Sequence, residues 1–385
     1  MPRNHVARRE FIGTALSSVA LTFAFSNGAG ATDADFTRAA SKLVTQGELE
    51  DSFSGVILVA HGDTILLRKA AGFADRASNV PNTVQTQFPI ASVTKQFTAA
   101  AVLSLVDAGK IALTDSIRKY YPEAPDTWGD ITIQHLLTHS SGIGDQAFSE
   151  VNMDSTMQYL SVHRDIVPFV SGTPLLFQPG SGFQYSNTGY VILAGVIERA
   201  SDEKYENYLR NRIFVPLGMT KTGFHLKVDL KGYVRSPDGN LLQAHSFDEP
   251  AGPNGPAGIY STVDDMLTWS RAWDEGRILS APSRIAALTD YGHNYGFGWR
   301  FAPKFGRKLV WHTGSFGPAG FASILDRFPD EKIVFVVLTN APVATSTTAT
   351  LLIEGKMTTF PANSSRKLLE SVEALYFAQT KPNRA

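Results

Sequence analysis

Strand-like text stands at both ends of this chain and is nearly missing from its middle. Near the start, "SGVILVAHGDTILLRKAAGFAD" (54–75) reads as two strands turning at His61-Gly62-Asp63, a hairpin signal. "SVTKQFTAAAVLSLVDAG" (92–109) reads as a helix, with Phe97, Ala100, Ala101, Val102 and Leu105 at helical spacing and Gly109 as its stop. From about 131 to 254 helical patterns punctuated by Pro and Gly take over, "NTGYVILAGVIERAS" (187–201) being the most apolar. After Thr262, "VDDMLTWSRAWDEG" reads as a capped helix ending at Gly276. Strands then return in "YGFGWRF", "KLVWHTG", "AGFASILDRF" and "KIVFVVLTN", short runs with turns between, which predicts an antiparallel meander.

A sheet drawn from both chain ends has to close around whatever lies between them. The pattern therefore predicts an α/β (α+β) fold, an antiparallel sheet flanked by helices and built from about 36–130 and 255–355. A mostly helical lobe, about 131–254, is inserted. At 43% hydrophobic and 18% charged, the 385 residues can bury such a core. In the polar tail, about 356–385, "SSRKLLESVEALYF" reads as a peripheral helix.

A formal net charge of −1 gives no support to a nucleic-acid partner. The chain has no cysteine, which excludes disulfides, thiolate metal sites and a cysteine nucleophile. Residues 1–31 read as an export segment. Arg8-Arg9 precede a weakly apolar stretch free of charge after Glu10, and Ala29-Gly30-Ala31 offers a small-x-small cleavage site. The paired arginines with Phe11 look like a twin-arginine signal. Phe11 to Phe25 is shorter than the about 20 residues that a membrane span needs. An uncleaved N-terminal anchor is the alternative. The expectation is a periplasmic or secreted bacterial protein whose mature part, 32–385, has no membrane span.

The α/β-hydrolase pattern Gly-x-Ser-x-Gly is absent, but Ser-x-x-Lys occurs four times, at Ser92/Lys95, Ser116/Lys119, Ser201/Lys204 and Ser364/Lys367. The chemistry needs the lysine one helical turn from the serine, in a place dry enough to lower the ammonium's proton affinity. Only Ser92 opens a strongly apolar helix, whose N-terminus would also favour a developing oxyanion. Ser116 precedes a run stopped by Pro122, Ser201 a charged face, and Ser364 lies in the polar tail. Ser92 as a mere helix cap is the alternative. Tyr-x-Asn occurs at Tyr185/Asn187, after a loop and before an apolar helix, and at Tyr205/Asn207, mid-helix beside Lys204. The first is the credible one; a buried tyrosine with a capping asparagine is its bland counterpart.

"HLLTH" puts His135 and His139 at the i, i+4 spacing of zinc ligands, but Leu136 stands where the metalloprotease motif needs Glu. Structural histidines are expected there, and neither a metal nor a cofactor is called for. Lys221-Thr222-Gly223 has the letters of a serine-hydrolase signature, yet it follows the turn-like "FVPLG". His312-Thr313-Gly314 instead ends the apolar strand "KLVWHTG", where the glycine would admit a substrate backbone as if it were another strand. Lys221 is read as the decoy.

With Ser92-x-x-Lys95, Tyr185-x-Asn187 and His312-Thr313-Gly314 in this order, the chain resembles the penicillin-recognising serine hydrolases. These include class C β-lactamases, D-alanyl-D-alanine carboxypeptidases, D-aminopeptidases and related esterases. "FPIASVTKQFTAAAVLSLVDAGKIALTD", "ITIQHLLTHSSGI", "FQYSNTGY", "PLGMTKTGF", "PAGIYSTVDDM" and "YGFGW" carry the likeness from about 36 to 355. The resemblance implies a β-lactamase-like fold and an acyl-enzyme mechanism on a small-molecule or peptide substrate. It makes Ser92 the acylated nucleophile, Lys95 its proton acceptor or electrostatic activator, and Tyr185 the general base and proton shuttle. Asn187 would hold the acyl-side amide, and Thr313 a substrate carboxylate or hydroxyl. The backbone amides of Ser92 and Ser315 would form the oxyanion hole.

His312 stands where β-lactamases usually carry lysine, which is similar to DD-carboxypeptidases and D-peptidases. Its unperturbed pKa of about 6.5 leaves little positive charge at neutral pH. Arg300, just before that strand, is expected to share the lysine's job with His312; a surface arginine beside a strand end is the alternative. An acyl-transferring hydrolase of D-amino-acid peptide or amide bonds comes first. An esterase of short acyl esters, a β-lactamase, or a penicillin-binding sensor domain without turnover are the alternatives.

Overall fold

The computed structural model describes residues 32–145, 166–224, 230–235, 240–244, 254–316, 319–341, 344–353 and 356–379. The expected export segment, 1–31, lies outside the described residues. The described elements belong to one compact unit beginning at Thr32.

The first strand-like run folds as a hairpin. β1 (Gly55–His61) and β2 (Thr64–Ala71) pair antiparallel around Gly62, whose φ of 54° is a left-handed turn conformation that glycine adopts freely. Four more strands come from the other end of the chain: β3 (Arg300–Lys304), β4 (Arg307–Phe316), β5 (Phe321–Phe328) and β6 (Ile333–Thr339). All pairings in the sheet are antiparallel, and its order is β2-β1-β6-β5-β4-β3. The join between chain ends is β1 on β6, Gly55 opposite Thr339 through to His61 opposite Ile333.

Alternation then divides the strand residues between two cores. Val56, Leu58, Val336 and Leu338 face α2 (Thr94–Asp107), α3 (Asn187–Ser201) and α4 (Val263–Glu275). Ile57, Val59, Phe335 and Val337 face α1 (Asp33–Leu49) and α5 (Ser364–Gln379). This is the antiparallel sheet flanked by helices that the pattern predicts. Between its two halves lie α3, the short helices Ile133–Leu137, Ile166–Val170 and Tyr205–Leu209, and a small hairpin, Tyr233–Arg235 with Leu241–Gln243.

Two expectations change. "YGFGW" is not a strand: the strand starts at Arg300, and the alternation of Tyr295, Phe297 and Trp299 reflects a buried loop. At Gly298 (φ 75°) that loop presses on α2, and an added Cβ would lie 2.8 Å from Lys95 O. The tail is not peripheral either. Lys356–Asn363 pairs with Ala344–Ile353, and α5 buries Leu369 and Val372 in the second core. Its Tyr376 meets Phe36 of α1 edge-on, ring centroids 5.3 Å apart.

Candidate active site

Ser92 rides on a strained turn. Ala91–Val93 form one 3-10 turn running into α2, and Ala91 holds φ at 44°, which costs a non-glycine residue on the order of 1–3 kcal/mol. Neighbours on both sides grip the turn. Ile90 N–H donates to Ile259 O (2.9 Å), and Ile90 O accepts the Ser323 hydroxyl of β5 (2.6 Å). β4 presses on the same spot at Gly314, where an added Cβ would stand 2.1 Å from Ile90 O and 2.9 Å from Ala91 Cβ. The glycine is thus required by the turn carrying Ser92, a different reason from the substrate approach expected of it. Ser92 stays half-buried, its N–H in a first turn that offers no intrahelical acceptor.

Lys95, one turn on, is fully buried. Its Nζ reaches Asn187 Oδ1 (2.8 Å), Ser92 Oγ (3.1 Å) and Pro256 O (3.2 Å). Burial pushes its pKa down to about 7; Asp145 opposes that shift and Arg300 adds to it. As a free amine it has two N–H donors for Asn187 Oδ1 and Pro256 O, and one lone pair for the Ser92 hydroxyl proton.

Tyr185 and Asn187 enter from the start of α3, capped by Ser186, whose Oγ accepts Gly189 N–H (3.1 Å). The Tyr185 hydroxyl lies near enough to Ser92 for the serine to lower its pKa. Burial pushes Tyr185 up to about 12, although Ser92 and Arg300 pull the other way. At neutral pH it is therefore a phenol, able to give a proton and not poised to take one.

The third motif lies on β4. His312 is buried, Nδ1–H donates to Thr313 O (2.6 Å), and Nε2 is left to accept the Tyr295 hydroxyl (3.1 Å). Burial first, then Arg300 and Lys95, hold it well below the usual imidazole value. His312 is neutral, so the expected sharing of positive charge with Arg300 does not occur. Of the two, Arg300 is the cation. It sits opposite Trp311 in the β3–β4 register and is no surface arginine: its guanidinium lies 5.3 Å from the ring centroids of Tyr185 and Tyr295 and 5.7 Å from that of Trp311. Among the described residues no carboxylate pairs with it. Thr313 is half-buried and Ser315 exposed farther along the strand, and the His312 and Tyr185 rings are 6.3 Å apart. A hydroxyl beside an amine base, a phenol donor and a fixed cation are the equipment of acyl transfer.

Over residues 40–353 the chain matches the family model described as Beta-lactamase. It belongs to the Beta-lactamase family of serine hydrolases. Penicillin-binding protein 4* of Bacillus subtilis (strain 168) is 30% identical over 324 residues, 77% of this chain and 70% of that protein's length. Esterase EstB of Burkholderia gladioli is 32% identical over 248 residues, 55% of this chain and 63% of that protein's length. The solved structure of D-amino acid amidase from Ochrobactrum anthropi SV3, complexed with L-phenylalanine amide, shares the fold. There the TM-score is 0.71 with 24% identity, covering 90% of this chain and 100% of that one.

In this Beta-lactamase-family chain the look-alike motifs sit elsewhere. Lys221 is exposed on a turn whose backbone N–H is held by Asp265 Oδ2 (2.9 Å). Ser116 caps a 3-10 turn, Ser201 donates to Ile197 O (2.6 Å), and Lys367 is exposed on α5. Tyr205 is buried against the Thr98 hydroxyl (2.7 Å). His135 caps its own helix at Thr132, while His139 lies beyond the helix end with φ 59°, so the two share no face.

Sequence reasoning missed Tyr295 and Asp145, and took His139 for a structural histidine without placing it at the site. His139 O accepts Gln184 N–H (2.9 Å) and its Nδ1 accepts Ser186 N–H (3.0 Å), while its ring lies 4.3 Å from that of Tyr185. Asp145 Oδ2 accepts Asn187 Nδ2–H (2.7 Å), and its Oδ1 accepts Thr188 N–H (2.9 Å). Nothing in local periodicity signals such partners.

Proposed function

We propose that this serine hydrolase is a peptidase of the DD-carboxypeptidase or D-peptidase type, cutting a peptide or amide bond near a terminal carboxylate. What supports this reading is Arg300, a cation without a carboxylate partner among the described residues, stacked on the tyrosine that touches Ser92. Arginine is always charged and grips carboxylates with two parallel hydrogen bonds.

In this reading Lys95, as the free amine, takes the Ser92 proton while Oγ attacks the carbonyl carbon. The backbone N–H groups of Ser92 and Ser315 receive the oxyanion, a contribution of about 3–4 kcal/mol for each donor. Tyr185 gives a proton to the leaving nitrogen as the C–N bond breaks and takes one back from the Lys95 ammonium; the freed Lys95 then takes a proton from the water that attacks the acyl group, and returns it to Ser92 Oγ as the acid leaves. Asn187 holds the acyl-side amide, and Thr313 with the neutral His312 lines the carboxylate side. The chemistry calls for no metal and no cofactor.

The test compares kcat/KM for a D-Ala-D-Ala peptide and a neutral p-nitrophenyl ester in Arg300→Ala. The peptide should lose about 1.5–3 kcal/mol of transition-state stabilisation, the worth of a charge-assisted hydrogen bond, and the ester almost none. Equal losses, or none on either, would favour the second reading, an esterase of short acyl esters, which the likeness to Esterase EstB supports. We also propose twin-arginine export to the periplasm or medium, supported by Arg8-Arg9 and Ala29-Gly30-Ala31. N-terminal sequencing of the exported protein should begin at Thr32.

A further inference from the structure

Of the three acceptors around Lys95, one can turn round. Pro256 O is fixed by the backbone and Ser92 Oγ by its turn, whereas the Asn187 amide offers an oxygen or an NH2 according to which way it faces. With the NH2 toward Lys95, donor would meet donor in a buried place. Asp145 prevents that. Its Oδ2 lies 2.7 Å from Asn187 Nδ2, so oxygen toward Lys95 and nitrogen toward Asp145 is the orientation in which both ends of the amide find a complementary partner.

The other contacts of Asp145 hold it in place. Oδ1 accepts Thr188 N–H (2.9 Å) and Thr188 Oγ1–H (3.1 Å), with Ser186 Oγ at 3.5 Å. All these partners can donate to the carboxylate, and together they fix both of its oxygens. At the other end of the same segment, His139 holds Gln184 and Ser186. The stretch from His139 to Asp145 thus grips the chain on both sides of Tyr185.

We propose that Asp145 is the positioning residue of this site: by setting which way the Asn187 amide faces, it holds Lys95 beside Ser92. The proposal rests on the reading that Ser92 and Lys95 are the acyl-transfer pair. Two charges face Lys95, Asp145 and Arg300, along with Tyr185, Tyr190, His139 and His312, none of which is charged at neutral pH. Lys95 must be neutral to act, so activity rises with pH as it loses its proton. Removing the negative charge of Asp145 makes the ammonium less favourable and moves that rise to lower pH.

The experiment measures kcat/KM against pH with p-nitrophenyl acetate for wild type, Asp145→Asn, Asn187→Ala and the double variant, with Tm recorded for each. Beforehand, mass spectrometry of the wild type treated with an acylating inhibitor checks for the adduct on Ser92. Asp145→Asn should lose about 10- to 100-fold at the plateau, the cost of misplacing a catalytic group. Its acid limb should move to lower pH. In the Asn187→Ala background the same change should cost less than about 3-fold, because Asp145 acts through Asn187.

Asp145 also accepts at the start of α3, so Asp145→Ser serves as a second variant that keeps a good helix-capping oxygen. It should recover Tm but neither the rate nor the wild-type acid limb. An unmoved limb with equal costs in both backgrounds, or full rescue by Ser, would make Asp145 a helix cap and overturn the proposal. A wild type without an adduct on Ser92 would instead overturn the parent reading. An adduct on Ser92 with an unchanged Asp145→Asn would overturn this inference alone.

Discussion

Adding one methyl group at Gly314 should disable the enzyme without touching any reacting atom. The Cβ of Gly314→Ala would stand 2.1 Å from Ile90 O, 2.5 Å from Ser323 Oγ and 2.9 Å from Ala91 Cβ. Two of these three neighbours belong to the turn that carries Ser92, and Cβ contacts under 3.0 Å essentially do not occur in proteins. In a close-packed interior, strand and turn must therefore part by about 1 Å. Overpacking of this kind costs about 1–3 kcal/mol, and losing the Ser323–Ile90 hydrogen bond adds about 1 kcal/mol. A nucleophile displaced by about 1 Å costs about 100-fold, or 2.7 kcal/mol of barrier. The assay pairs burst kinetics on p-nitrophenyl acetate with thermal unfolding. The expected result is a folded protein with Tm lowered by several degrees and acylation slowed about 100-fold. Acylation within about 3-fold of wild type would refute the claim that β4 sets the position of Ser92.

Two further outcomes follow from the charges around the site. The pH profile of kcat/KM in wild type should rise through an apparent pKa of about 7, that of Lys95, and stay flat past pH 8, since Tyr185 titrates near 12; a plateau reached below pH 5 would contradict a lysine base. Lys221→Ala should keep kcat/KM within a few-fold, because the side chain is exposed and the fixed contact of that residue is its backbone N–H to Asp265; a 100-fold loss in a folded protein would reinstate the Lys-Thr-Gly triplet.

What could be read from the sequence had its physical cause close by along the chain. Ser92 is on the 3-10 turn and Lys95 in the first turn of the apolar helix that follows it, so their chemistry and burial are written in the same dozen residues. The strands were legible for the same reason, since alternation is a local consequence of the pleat. The failures have partners far off. Asp145 sits in a loop that reads as a turn, and its meaning lies 42 residues away at Asn187. The helix α5 was misjudged because Arg366 and Glu373 look solvated as letters, yet Arg366 pairs with the buried Asp326 (2.9 Å) and Glu373 with Lys304. The "YGFGW" loop imitates a strand because its aromatic side chains alternate into a core, while its Gly298 answers to α2 and not to a ladder. His312 is the most instructive case. As a letter it titrates at about 6.5 and offers a fraction of a charge; in place it is buried, with Arg300 and Lys95 near enough to oppose its charge, and carries none. Burial first, with Arg300 and Lys95 adding to it, silences His312 and leaves Arg300 as the permanent positive charge of the pair. A substrate carboxylate therefore has a permanently charged group to meet there, and Arg300→Ala becomes the variant that separates a peptidase from an esterase.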